Sequence, residues 1–85
     1  MTISYEMKEI EQIIIIDFNE DYNEEEIIDW IDSFYYEWLN YEETTDEEMW
    51  DEIENMSVER WITEHLSDYE YDYESYEVKN IKEWF

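Results

Sequence analysis

Residues 13–39 read IIIIDFNEDYNEEEIIDWIDSFYYEWL, and the change of period inside this stretch decides the fold. Ile13-Ile14-Ile15-Ile16 is a run of β-branched side chains. Such residues suit a pleated surface, and an unbroken run of them reads as a strand covered on both faces. Asn19-Glu20-Asp21-Tyr22-Asn23 is then a loop. Beyond it the apolar residues recur every three or four positions. Ile27, Ile31, Phe34 and Trp38 fall on one helical stripe, widened by Ile28, Tyr35 and Leu39. Asn23 is placed as the N-cap, with Glu26 at the capping-box position. Acids fill the first turn, where the helix dipole favours negative charge. The spacing predicts a helix from Glu24 to Leu39, with Glu25, Asp29, Asp32 and Tyr36 on its outer face.

Working outward toward the N-terminus, Ile3, Tyr5 and Met7 alternate with Ser4, Glu6 and Lys8, the period of a half-buried strand. A tight reversal near Lys8–Glu11 would join this strand to the isoleucine run as a hairpin. One long strand is the alternative, since no Asn-Gly or Asp-Gly marks the turn. In the other direction, Asn40 to Thr44 is a connector, and Thr45 with Glu48 forms a second capping box. A short helix to about Asn55 is expected to bury Met49, Trp50, Ile53 and Met56. Ser57 then caps a third helix in which Val58, Trp61, Ile62, His65 and Leu66 share a face.

From Asp68 to Glu74 the sequence alternates without a break, Tyr69, Tyr71 and Tyr73 against Asp68, Glu70, Asp72 and Glu74. This predicts a strand. The phase shifts at Ser75, so Tyr76 and Val78 should continue after a bulge or turn. Val78 to Phe85 suits either a short helix or a final strand. The expected fold is a single α+β domain over residues 1–85. Its small antiparallel sheet is an N-terminal strand or hairpin plus a C-terminal strand, packed with about three helices.

The composition bounds the function. There are 28 acids against 4 bases, a formal net charge of −24, yet 44% of the residues are hydrophobic and 20% aromatic, with no Gly and no Pro. A strongly charged chain is often disordered. The periodic aromatics and the missing Gly and Pro point instead to a folded domain that tolerates self-repulsion. Cysteine is absent, so no disulfide or thiolate metal site is available. Met1 to Glu11 lacks the basic and apolar regions of a signal peptide, and Ile13–Ile16 is too short to span a bilayer. The expected compartment is the cytoplasm, and an anionic membrane would repel the protein.

Catalysis finds little support. The one histidine, His65, lies on an apolar helix face and reads as a packing residue. No serine sits in a nucleophile motif, and without Gly there is no phosphate-cradling loop. Carboxylate pairs are too numerous to identify a site. Asp68, Glu70, Asp72 and Glu74 imitate the first positions of a calcium loop, but Tyr73 stands where that loop turns on Gly and Lys79 where it needs Glu. No catalytic residue, metal or cofactor is expected.

Direct nucleic-acid binding is equally disfavoured, because four bases cannot offset the acids. Inverted, the same physics suggests a partner. Alternate strand residues stand about 6.6–6.8 Å apart, and helix residues one turn apart about 5–6 Å. Neighbouring phosphates on one DNA strand lie roughly 6–7 Å apart. Three sets of carboxylates could therefore imitate a phosphate backbone: Glu25, Asp29 and Asp32; Glu47, Asp51 and Glu54; and Asp68, Glu70, Asp72 and Glu74. No Lys or Arg occurs from Glu9 to Glu59, so the first two helices forgo the ion pairs of an ordinary soluble surface. Trp30, Tyr36 and Tyr41 fall off the main apolar stripe and are candidate aromatic anchors.

In length, acidity and aromatic content the whole chain resembles the DNA-mimic proteins of phages and mobile elements. These include antirestriction proteins, anti-CRISPR proteins, uracil-DNA glycosylase inhibitors and inhibitors of histone-like proteins. The resemblance is compositional, carried by no motif, and implies no particular fold. It implies a non-enzymatic inhibitor in the cytoplasm of a host bacterium, seated in the DNA-binding site of a CRISPR effector or restriction enzyme. A repair enzyme or histone-like protein is the alternative target. An acidic-aromatic segment that folds on a partner, and a carboxylate enzyme using a hard metal, are the rivals from other classes. Trp84-Phe85 would suit a homodimer contact.

Overall fold

The structure is a computed structural model describing residues 1–41 and 47–84, the side chains of Met49, Glu83 and Trp84 excepted. The N-terminal alternation and the isoleucine run form a hairpin: strands β1 (Thr2–Met7) and β2 (Gln12–Phe18) pair antiparallel. A 3₁₀ turn over Lys8–Ile10 joins them, closed by the Glu11 amide donating to the Lys8 carbonyl at 3.2 Å. Glu11 takes a left-handed φ of 55°, the geometry that Gly would usually supply at such a turn. A third strand, β3 (Tyr73–Asn80), pairs antiparallel with the other side of β2, giving the order β1-β2-β3.

Helices α1 (Glu24–Leu39), α2 (Glu47–Glu54) and α3 (Val58–Asp68) complete the α+β architecture, with a four-residue turn of helix, α4 (Ile81–Trp84), after β3. The core joins one sheet face to the helices. Ile3, Met7, Ile14, Ile16 and Phe18 meet Ile27, Ile31, Phe34 and Tyr35 of α1, Ile53 of α2, and Val58, Trp61, Ile62 and Leu66 of α3. The buried Trp61 indole N–H donates to the Phe34 carbonyl at 3.0 Å and so ties α3 to α1. The isoleucine run is not covered evenly on both faces. Ile13 is buried outside the main core, whereas Ile15 is only half-buried.

The first cap forms as expected: the Asn23 side chain accepts from the Glu26 amide at 3.1 Å. Ser57 occupies the N-cap of α3, but only its backbone carbonyl is used, accepting from the Trp61 amide at 2.9 Å. Thr45 lies outside the described residues. Trp50, expected in the core, is 38% exposed. Two turns of helix give a narrow contact centred on Ile53, and the Trp50 ring lies at its margin, edge-on to Tyr41 with centroids 6.5 Å apart.

The largest departure concerns Asp68–Glu74, which is not a strand. Asp68 ends α3, and Glu70 follows in the left-handed region at φ 67°. The Glu70 amide donates to Ser67 at 3.0 Å and the Tyr71 amide to Leu66 at 3.0 Å. Those two bonds form a Schellman motif, which satisfies carbonyls that a helix end otherwise leaves open. Strand pairing begins only at Tyr73, and the register passes from Phe18↔Tyr73 to Asp17↔Ser75, leaving Glu74 bulged. The phase shift at Ser75 is thus real. At the C-terminal end the helical alternative holds, with the Ile81 amide donating to the Glu11 carbonyl at 3.0 Å. The Trp84 side chain and Phe85 lie outside the described residues. No helix among those described is long and apolar enough to cross a membrane.

Candidate functional site

A carboxylate surface built without Lys or Arg must find other donors if its side chains are to hold a fixed direction. Between Glu9 and Glu59 these donors are backbone amides, side-chain amides, hydroxyls and indoles. Tyrosine hydroxyls make the decisive contacts. Tyr5, on β1, donates its hydroxyl to Asp32 in the middle of α1. Tyr35 and Tyr36 donate to the two oxygens of Glu9 at 2.6 and 3.3 Å. Tyr71 donates to Glu26 at 3.1 Å. The carboxylates of the hairpin turn and of α1 are therefore joined through phenols.

The local sequence explains the geometry. Tyr5 pairs across the ladder with Ile14, so its ring starts from the core-facing side of the sheet. It meets the buried ring of Tyr35 edge-on, centroids 5.8 Å apart. Both rings have apolar bodies in or near the core, and their hydroxyls emerge beside acids. Burial, then the bond to Asp32, raises the Tyr5 hydroxyl far above the ordinary tyrosine range. Burial, then Glu9, does the same for Tyr35. Nearby Glu9 raises Tyr36, and burial followed by Glu26 raises Tyr71. All four remain donors at neutral pH. In return, the Tyr35 hydrogen bond holds the Glu9 carboxyl below its ordinary value.

Glu25, Asp29 and Asp32 are exposed on the outer face of α1, as their spacing predicts, and Tyr36 is exposed beside them. Glu47, Asp51 and Glu54 are exposed on α2. The third set does not form a strand ladder. Asp68 is helical, Glu70 caps the helix, and Glu74 is bulged. Asp72 is held by its backbone, its amide donating to the Tyr22 hydroxyl at 3.1 Å and its carbonyl accepting from the Asn19 amide at 3.1 Å. These four are exposed, but the even spacing of a strand is lost.

Of the aromatic candidates, Tyr36 is 43% exposed, with its hydroxyl on Glu9. Trp30 is half-buried in a three-ring cluster, 4.5 Å from Tyr69 and 5.6 Å from Phe34, which are themselves 5.7 Å apart. Tyr41 is half-buried against Trp50. The exposed aromatics also include Trp50, Tyr69 and Tyr76, which periodicity did not single out. Glu9 and Glu26, with the phenols that hold them, were likewise missed. The abundance of Tyr in a base-free stretch was the available signal, but the partners are 26 to 45 residues apart in sequence.

Lys8, Arg60 and Lys79 pair with Glu6, Glu64 and Glu77 at 3.9, 2.9 and 3.8 Å. His65 is half-buried against Trp61, and its Nδ1 donates to the Trp61 carbonyl at 2.8 Å, a packing role. Among the described residues no group of three His, Cys, Asp or Glu side chains is placed to hold a metal ion. No family model, curated protein or solved structure matches this chain.

Proposed function

We propose that the protein is a DNA mimic, an inhibitor that occupies the DNA-binding site of a host defence protein, a CRISPR effector or restriction enzyme. The observation that carries the proposal is the outer face of α1, where exposed carboxylates free of Lys and Arg are steadied by phenol hydrogen bonds, foremost Tyr5 to Asp32. Ordering matters because carboxylates that are already oriented lose little entropy when a basic groove closes on them. On this proposal the protein performs no chemistry and needs no metal or cofactor. It acts in the cytoplasm of the host bacterium and touches protein rather than nucleic acid or membrane. Long-range attraction speeds its association, and exposed aromatics such as Tyr36 slow its release.

The test is displacement of a labelled DNA duplex, followed by fluorescence anisotropy, from purified CRISPR effectors and restriction enzymes. Repair glycosylases and histone-like proteins extend the panel to the alternative target class. Displacement from a defence protein, weakening steeply between about 50 and 200 mM salt, is expected. The triple variant Glu25→Gln, Asp29→Asn, Asp32→Asn should displace poorly. A target that binds the protein with its DNA still in place would overturn the proposal.

A further inference from the structure

Strand β3 ends the sheet: β2 lies on one side of it, and among the described residues no strand lies on the other. The ladder fixes which backbone groups face that open edge. Phe18 exchanges bonds with Met1 on the β1 side, so Asp17, Ile15 and Ile13 turn their backbones toward β3. The Ile81 amide, donating to Glu11, gives the same phase at the other end. Ser75, Glu77 and Lys79 therefore bond to β2, and the amides of Tyr76, Val78 and Asn80 point outward. The helices cover this part of the sheet only partly. Tyr76 and Val78 share the face of Ile16 and Ile14, yet Tyr76 is exposed and Val78 half-buried, since α1 packs over β1 at the far edge.

An open edge is a template for another strand. Apart from the bulged Glu74, β3 carries one acid and one base, Glu77 and Lys79, on the face turned from the core. Because only alternate residues have outward groups, a second copy of β3 can pair antiparallel in few registers. Centring on Glu77 sets that acid against itself, and centring on Lys79 does the same for the base. Centring on Tyr76 brings Val78 against the bulge. Centring on Val78 sets Glu77 of each copy against Lys79 of the other.

We propose that the protein forms a twofold homodimer in which β3 pairs with β3 of a second copy, centred on Val78. The two Val78 residues exchange backbone hydrogen bonds, and each Asn80 amide donates to the second copy's Tyr76 carbonyl. Glu77 and Lys79 then lie opposite each other as a non-hydrogen-bonded pair, the closer kind, with Cα atoms about 4.5 Å apart. Within one chain Glu77 already meets Lys79 at 3.8 Å, and the dimer extends this into an alternating array of charges. The bulge at Glu74 and the turn into α4 bound the pairing at either end. Strand β1 offers no such match, since Glu6 is its one charged residue. Two chains of net charge −24 repel each other, so the dimer tightens as salt screens them. That sign is opposite to the salt dependence of a DNA mimic on a basic target, and the inference does not rest on the mimic proposal.

The test is sedimentation equilibrium of the full chain, from micromolar to millimolar concentration, in about 50 and about 500 mM salt. Twice the chain mass, favoured by salt, is expected, with amide-exchange protection at Tyr76, Val78 and Asn80 rising with concentration. Glu77→Lys alone and Lys79→Glu alone each set like charges opposite each other and should weaken dimerisation about tenfold. Mixing the two variants, or combining the changes in one chain, restores the alternation and should restore the dimer. Val78→Pro removes an amide that the ladder to β2 does not use, and should leave the chain folded but monomeric. Unperturbed amide NMR signals from α1 and α3 show that each variant is folded. A chain that stays monomeric at millimolar concentration in high salt would overturn the proposal, as would a dimer that Lys79→Glu and Val78→Pro leave intact. Assemblies that grow without closing would mean that β3 pairs with β1 of the next copy, which also overturns it.

Discussion

Helix α1 and the run Asp68–Glu74 are both dense in acids and aromatics, yet only the first adopts the form its pattern predicts. In α1 several local signals agree: a cap at Asn23, acids in the first turn, and an apolar stripe ending in buried Phe34 and Tyr35. In Asp68–Glu74 the alternation is equally regular but stands alone. Its first residue completes the last turn of α3, and the open carbonyls there are satisfied by Glu70 and Tyr71. The tyrosines then separate, Tyr69 stacking on Trp30, Tyr71 meeting Tyr22 and Tyr73 meeting Tyr76. A pattern is trustworthy when caps, period and burial coincide, and weak when period is its only support.

The largest expected effect comes from cutting the joint between these regions. Trp61→Ala removes a buried ring and its bond to Phe34. It should cost about 3–5 kcal/mol in urea unfolding, enough to unfold much of a small domain. Next is the cap on the predictable side: Asn23→Ala should cost about 1 kcal/mol by the same measurement. Glu70→Gly sharpens the comparison by its sign. At a left-handed φ, Gly relieves strain, and the thermal midpoint should rise with a gain of about 1 kcal/mol. A fall instead would mean that the segment is a strand, where Gly weakens pairing.

The pH dependence tests the phenols around α1. The hydroxyls of Tyr5 and Tyr35 are raised above the ordinary value of 10.0. Their contribution is therefore intact below that value and lost as pH rises through the folded values. Stability measured by chemical denaturation should decline in strong alkali, and less so in the double variant Tyr5→Phe, Tyr35→Phe. Glu9 has the opposite sign: its contribution is present above the ordinary carboxylate value of 4.5 and is lost as pH falls through its lowered one. The smallest effect is that of salt on the folded chain. Added salt should raise the thermal midpoint modestly by screening a net charge of −24.

The candidate surface was legible to different depths. Glu25, Asp29 and Asp32 followed from helical spacing alone, because the apolar stripe dictates which side faces water. That Tyr5 reaches Asp32, or that Tyr35 and Tyr36 reach Glu9, was not legible, since those bonds join β1 and the hairpin turn to α1. Trp50 misled for a related reason. Its position on α2 allows burial, but how much of an eight-residue helix is covered depends on what packs against it.

By itself, then, the sequence determined the strand character of the N-terminal alternation and the isoleucine run, the span and outer face of α1, the helical pattern of α3 and the break in phase at Ser75, while the choice of a hairpin over one long strand came from the structure. These rest on period and capping, which act within a few residues. The tertiary structure alone decided where α3 stops, that Glu11 and Glu70 take left-handed geometry in a chain without Gly, which phenol holds which acid, and that β3 becomes an edge strand. Those outcomes depend on contacts between distant segments, and a carboxylate carries no local mark of the hydroxyl that will reach it.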